Sequence, residues 1–155
     1  MPDPNYWMVK SEPSTFSFDD LVASPKKTTH WDGVRNFTAR NNLQAMKKGD
    51  RVLFYHSSST PSAVVGIAEV AKEAYPDPTA LDPNDSHFDP KSKAEKPSWY
   101  MVDIKAVEPL ARPVSLDEIK KTKGLENMAL VRLGRLSVQA VTPKEYEIVL
   151  KLASK

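Results

Sequence analysis

Arg51-Val-Leu-Phe-Tyr-His-Ser57 and Ala63-Val-Val-Gly-Ile-Ala-Glu-Val-Ala-Lys-Glu-Ala74, joined by Ser58-Ser-Thr-Pro-Ser62, decide the fold class. Both runs are rich in β-branched and aromatic residues, and the serines and proline between them are turn formers, so the pair reads as a hairpin. The first run carries bulky residues on both faces. Gly66 interrupts the second run and marks a bulge or a point where another group approaches the backbone closely.

Further strands follow from the same criteria on either side. Tyr6–Lys10 is β-prone and is bounded by Pro4 and by Ser11-Glu12-Pro13, Ser98–Val107 contains Trp99, Tyr100, Val102 and Ile104, and Leu136–Val141 reads as the last strand. Short helices lie between them. Ser17 with Asp20 caps a segment whose apolar face is Phe18, Leu21 and Val22 and which stops near Pro25. Thr28–Asn36 shows no period, and after it Val34, Phe37, Asn41 or Leu43, and Ala45 or Met46 suit a helix closed by Lys47-Lys48-Gly49. Ser115 with Glu118 opens another helix. Thr142-Pro143 with Glu145 opens a final one whose face is Tyr146, Val149, Leu150 and Ala153. Tyr75–Pro97 holds five prolines in 23 residues, which predicts a long irregular loop, a rim or a lid. No regular β-α alternation is present. The expectation is therefore one α+β domain over residues 1–155, a mixed, distorted β-barrel flanked by short helices.

Composition narrows the function. The chain has 155 residues, 40% apolar and 27% charged, with a formal charge of +2 and no cysteine. Disulfides, thiolate metal sites and a cysteine nucleophile are excluded. So small a basic excess weakly disfavours a protein that coats long duplexes, yet it allows a pocket that grips one nucleotide with a few local cations. Met1-Pro2-Asp3-Pro4 has no basic leader region and no apolar run approaches a membrane span, so a protein of the cytoplasm, or of the nucleus if eukaryotic, with no membrane partner is expected. There is no glycine-rich phosphate loop, no Gly-x-Ser-x-Gly elbow and no His-Glu-x-x-His, and His30, His56 and His87 are widely spaced. Neither a catalytic site nor a metal site is predicted.

Four segments place polar groups among aromatic ones. Lys10 and Ser11 end the first strand beyond Trp7. Trp31 stands in a polar stretch before Arg35 and Asn36. Tyr55, His56 and Ser57 end a third segment, and Ser137 and Gln139 stand at i and i+2 in the last strand. Each has a bland alternative: Trp7 and Trp99 fit a core, His56 could cap the hairpin, and Trp31 could serve packing as well as stacking. If the strand ends converge, the segments form a cavity that stacks a base on an aromatic face and reads its edge, and stacking is worth ~1–3 kcal/mol per base.

The same segments carry a resemblance to a known family. Trp7-x-x-Lys-Ser-Glu-Pro13, Trp31-Asp-Gly-Val-Arg-Asn36 with Ala39-Arg-Asn41, Lys48-Gly-Asp50, Phe54-Tyr-His-Ser57, Gly66-Ile-Ala-Glu-Val70, Tyr75-Pro-Asp-Pro-Thr79, Tyr100-Met-Val-Asp103 and Arg135-Leu-Ser-Val-Gln139 together resemble the EVE domain, in matching order from Tyr6 to about Leu150. The resemblance implies a PUA-like fold akin to YTH and ASCH domains. It also implies binding of DNA or RNA carrying a modified base such as 5-methyl- or 5-hydroxymethylcytosine, without a cofactor and without catalysis. By position Trp31 corresponds to a cage aromatic, with Lys10 and Ser11 bordering the pocket. Lys10 and Arg35 are expected at phosphate or sugar, Tyr55 or Tyr75 as a second stacking ring, and Asn36, Tyr55, His56, Ser57, Ser137 and Gln139 as wall residues. A chain that starts at the domain, without the basic extension of animal members, suggests a bacterial protein acting as a monomer or weak dimer. Three rivals remain: a PUA-type module that reads RNA structure, a nucleotide-processing enzyme using His56 with Glu12 or Asp103, and a protein-interaction scaffold with an exposed apolar patch and an unlined pocket.

Overall fold

The computed structural model describes residues 5–155, so the Met1–Pro4 segment read above for a leader lies outside the described residues. Six strands form one mixed sheet in the order β2-β5-β4-β3-β1-β6. These are β1 (Tyr6–Ser11), β2 (Thr28–His30), β3 (Arg51–His56), β4 (Ala63–Pro76), β5 (Tyr100–Ser115) and β6 (Val138–Val141). The hairpin β3–β4 stands at the centre, and β4 pairs with β5 along nearly its whole length. Only β1 and β3 run parallel, because α1 (Phe18–Ala23), β2 and α2 (Phe37–Ala45) make the crossover between them. The expected mixed strands and short helices are present. The barrel is not closed by hydrogen bonds, and β2 and β6 remain free edges.

Strand alternation divides the core in two. Trp7, Val9, Val52 and Phe54 project to one side, where α1 and α2 contribute Phe18, Leu21 and Leu43. Met8, Leu53 and Tyr55 project to the other, against α3 (Leu116–Lys120), α4 (Ala129–Arg132) and α5 (Pro143–Ala153). With both faces covered, β1 and β3 are nearly continuous apolar runs, as buried strands require. A buried carboxylate ties the first side together. Asp50 accepts hydrogen bonds from Trp7 Nε1 at 2.9 Å, from the backbone N–H of Lys47 at 2.9 Å and from that of Asn5 at 3.1 Å. Gly66 occupies a register shift in β4, where an added Cβ would lie 2.4 Å from the Phe18 ring, so it provides both the bulge and the close approach.

The caps agree with the sequence at Ser17, Ser115 and Thr142, and the Ser17 and Thr142 boxes are complete on both sides. Several elements differ: β4 runs to Pro76, into the segment read as loop, and β6 starts at Val138. Thr28–His30 is a strand that pairs with β5; its three residues are too few to show a period. β5 runs on to Ser115 through Pro109 and Pro113, beyond the predicted end at Val107, and its register shifts near Pro109. Ala129–Arg132 is a single helical turn that the apolar pattern did not reveal.

Candidate functional site

The end of β1, the turn after it, the end of β2 and the loop Trp31–Arg35 surround a concavity of about 530 Å³. Lys10 and Ser11 come from β1, Thr15 and Phe16 from the turn, Thr29 and His30 from β2, and Trp31 to Arg35 from the loop. His87 arrives from the proline-rich segment and Ser137 from the residue just before β6. This volume lies within the range of small-ligand pockets, ~300–1,000 Å³.

Trp31 is half-buried at the floor. Its backbone N–H donates to Val102 O at 2.7 Å, which continues the β2–β5 ladder by one residue. The indole meets Phe54 at 5.5 Å and Phe16 at 6.4 Å between centroids, both nearly perpendicular, and no aromatic ring of the described residues stacks parallel to it. Ser11 Oγ donates to Phe16 O at 2.7 Å, which fixes the turn that carries Phe16. Lys10 Nζ donates to Gly134 O at 2.6 Å, and desolvation lowers its pKa.

Behind the loop, buried Asp77 accepts from Gly33 N at 2.8 Å, from the N–H and hydroxyl of Thr79, and from Arg35 Nη1 at 3.2 Å. Burial alone would raise its pKa, but hydrogen bonds from Thr79, Gly33 and Arg35 hold it below the usual carboxylate range. Asp32, exposed at the mouth, shifts the other way: partial desolvation, then the charges of Asp77 and Asp85, push it up against the opposing pull of His87. Beside His30, Asp103 accepts from the Tyr75 hydroxyl and lies 2.8 Å from His30 Nδ1. Burial and the Asp103 carboxylate raise the Tyr75 pKa well above that of a free phenol.

Of the predicted site residues, Trp31, Lys10, Ser11, Arg35 and Ser137 surround one concavity and six others do not. Arg35 is not free for phosphate, because its guanidinium is taken up by Val34 O, His87 O, Thr79 and Asp77, and it clamps the proline-rich segment to the loop. Tyr55 follows Phe54 on β3 and so projects to the opposite face, 4% exposed in the second core. Asn36 is the N-cap of α2, its Oδ1 accepting from Ala39 N at 2.9 Å, and it lines a neighbouring groove instead. His56 does not cap the hairpin: its Nε2 accepts from Phe18 N at 3.0 Å, satisfying a free donor at the start of α1. Ser57 lies off the concavity, its N–H donating to Ser11 O at 3.0 Å. Tyr75 backs His30 from behind. Gln139 is fully buried, donating to Leu133 O at 2.9 Å and Ala129 O at 3.3 Å, because β6 begins only at Val138 and the expected shared face with Ser137 does not form.

Sequence reasoning missed Asp32, His30, Phe16 and His87. Asp32 lies inside the same Trp31-Asp-Gly-Val-Arg-Asn36 motif, where its carboxylate is the available signal. His87 is the one residue of the proline-rich segment that reaches the concavity. Among the described residues no group of three His, Asp or Glu side chains is placed to hold a metal ion, and no helix is long and apolar enough to cross a membrane.

Residues 5–152 match the EVE domain. Thymocyte nuclear protein 1 of Rattus norvegicus is 46% identical over 96% of this chain and 73% of its own length. A solved structure described as a hypothetical protein from Leishmania major superposes with a TM-score of 0.92 at 49% identity, covering 98% of this chain and 96% of that one. The human THYN1 protein, solved in complex with 5-methylcytosine-containing DNA, superposes with a TM-score of 0.93 at 42% identity, covering 97% of this chain and 98% of that one.

Proposed function

Because the chain belongs to the EVE domain family, we propose that it is a non-catalytic reader which takes one flipped, modified cytosine of DNA into the Trp31 concavity. The carrying observation is a half-buried indole with no parallel ring partner, held by Phe16 and Phe54 and facing a nucleotide-sized space bordered by hydroxyls and one carboxylate. An aromatic face in this state gives a base a stacking surface worth ~1–3 kcal/mol, comparable to the few kcal/mol needed to unstack it. The human relative solved with 5-methylcytosine-containing DNA supports cytosine as the base.

The chemistry of the rim fits cytosine. Its exocyclic amine is a donor, and a carboxylate is the side chain that accepts from it. Asp32 offers that acceptor at the mouth, and Ser11 and Ser137 offer hydroxyls. A 5-methyl group would find apolar contact against Phe16 and Val34. Lys10 retains ammonium protons beyond the one given to Gly134 O, and these face the sugar-phosphate backbone. Weighing against the enzyme alternative, His56 Nε2 accepts from Phe18 N and Asp103 accepts from the Tyr75 hydroxyl.

The test is a titration of labelled oligonucleotides carrying 5-methylcytosine, plain cytosine, methylated adenine or plain adenine, as DNA and as RNA, against wild type and Trp31→Ala. Tighter binding of a 5-methylcytosine strand by wild type, with the preference lost in Trp31→Ala by roughly tenfold or more, supports the reading. The reading fails if no modified strand outcompetes its plain counterpart and Trp31→Ala changes nothing. A preference for folded RNA without regard to modification would favour an RNA-structure module.

A further inference from the structure

Next to the Trp31 concavity lies a second groove of about 430 Å³, lined by Asn36, Thr38, Arg132, Leu133, Arg135 and Leu136. Its wall is the tight turn between α4 and β6. Leu133 stands on that turn, 54% exposed as a residue, and it belongs to neither core cluster. The other large apolar side chain nearby, Phe37, is stacked on Trp99 at 4.9 Å and lies under Arg40, so it is already occupied. Leu133 is flanked by Arg132 and Arg135, both exposed.

The turn is braced as though its position mattered. Leu133 N–H donates to Ala129 O at 2.7 Å, and Leu136 N–H donates to Leu133 O at 3.0 Å. Fully buried Gln139 reaches out of the core to the carbonyls of Ala129 and Leu133. Its own Oε1 has no partner among the described residues, a cost that an apolar residue would avoid. On the other side, Lys10 ties Gly134 O to the rim of the concavity. A rigid, exposed apolar tip between two arginines, coupled to a base pocket, has the chemistry of a side chain that fills a gap in a base stack while its neighbours meet phosphates.

We propose that Leu133 is the wedge that enters the duplex where the read base leaves, with Arg132 and Arg135 on the flanking phosphates. The occupant is duplex DNA, since a single strand has no stack to refill. This rests on the base-reading function above and extends it from the base to the duplex.

The experiment compares wild type, Leu133→Ala, Leu133→Phe and Trp31→Ala on one strand carrying 5-methylcytosine beside a fluorescent 2-aminopurine, alone and as a duplex. Leu133→Ala should bind the duplex about tenfold more weakly and the single strand within about twofold of wild type. The 2-aminopurine signal on duplex binding should fall with it, and Leu133→Phe should retain both. Equal loss on both forms, or no loss on either, overturns the wedge. If Leu133→Ala has no effect on the duplex while Trp31→Ala still abolishes single-strand preference, only the wedge fails. If wild type prefers the modified strand in neither form, the base reader fails and the wedge with it.

Discussion

The imidazole of His87 lies against Gly33 so closely that a Cβ added there would fall 2.7 Å from Nε2. Gly33 also has φ +77°, a region that side chains other than glycine rarely adopt. Contact and backbone geometry together join the proline-rich segment to the loop that carries Trp31, reinforced by Arg35 on His87 O. Gly33→Ala should therefore lower stability by roughly 1–2 kcal/mol for the left-handed backbone alone, with a further loss from displacing the ring. Urea unfolding of Gly33→Ala, His87→Ala and the double variant separates the two. The double variant should be less destabilised than the sum of the singles. Strict additivity would mean that the ring and the glycine are not coupled.

Asp32 should oppose folding at neutral pH. Its folded-state pKa is raised, chiefly by partial desolvation and then by Asp77 and Asp85, so its contribution is favourable below the unfolded value of ~3.9 and is lost as pH rises through the folded value. Asp32→Asn should melt slightly higher than wild type at pH 7, and that gain should vanish near pH 3.5. The same variant should bind a 5-methylcytosine strand more weakly, because a charged acceptor for the exocyclic amine has been removed. Higher stability with weaker binding marks a group retained for a ligand. A variant that loses stability at pH 7 and binds normally would show Asp32 to be structural.

Asp50 predicts a large effect far from the concavity. Its carboxylate is 3% exposed and accepts from the Trp7 indole and two backbone N–H groups. Asp50→Ala leaves the buried Trp7 indole N–H and two part-buried backbone N–H groups without their acceptor and should cost about 2 kcal/mol or more, since an unmatched buried donor costs ~1–3 kcal/mol. Trp7→Phe removes one donor and should cost less. Denaturation of the two variants and their double measures the coupling. A loss below about 1 kcal/mol for Asp50→Ala would contradict the hydrogen-bond network.

Alternation and capping chemistry were legible in the sequence because both are local. The β3–β4 hairpin and the caps at Ser17 and Thr142 depend on residues close together in the chain, and Gly66 stands out locally as a glycine inside a strand, although the ring that approaches it, Phe18, comes from distant α1. β2 escaped because its pairing with β5 is decided by residues more than seventy positions away. The site divided along the same line. Trp31, Lys10, Ser11 and Ser137 meet because strand ends converge, but the face on which Tyr55 and Gln139 project depends on where each strand begins. Arg35 has the chemistry of a phosphate ligand, and only tertiary structure shows its donors taken by Asp77, Thr79 and His87. His87 reaches the concavity from an aperiodic segment, where no sequence pattern could place it.

His56 supplies a pH dependence of definite sign. Its Nε2 accepts from Phe18 N, which requires that nitrogen to be unprotonated, and desolvation depresses its pKa against a smaller opposing effect of Asp19. A depressed folded-state pKa means that the stability from this contact is complete above the unfolded value of ~6.5 and is lost as pH falls through the folded value. Protonation would turn the acceptor into a donor facing another donor and would release the first turn of α1. Gln can still present an oxygen to Phe18 N but does not titrate. Wild type should therefore lose more melting temperature than His56→Gln between pH 7.5 and pH 5. His30 and His87 are common to both proteins, so the difference between the two profiles belongs to His56. Parallel profiles would show that His56 does not hold the start of α1 as a neutral acceptor.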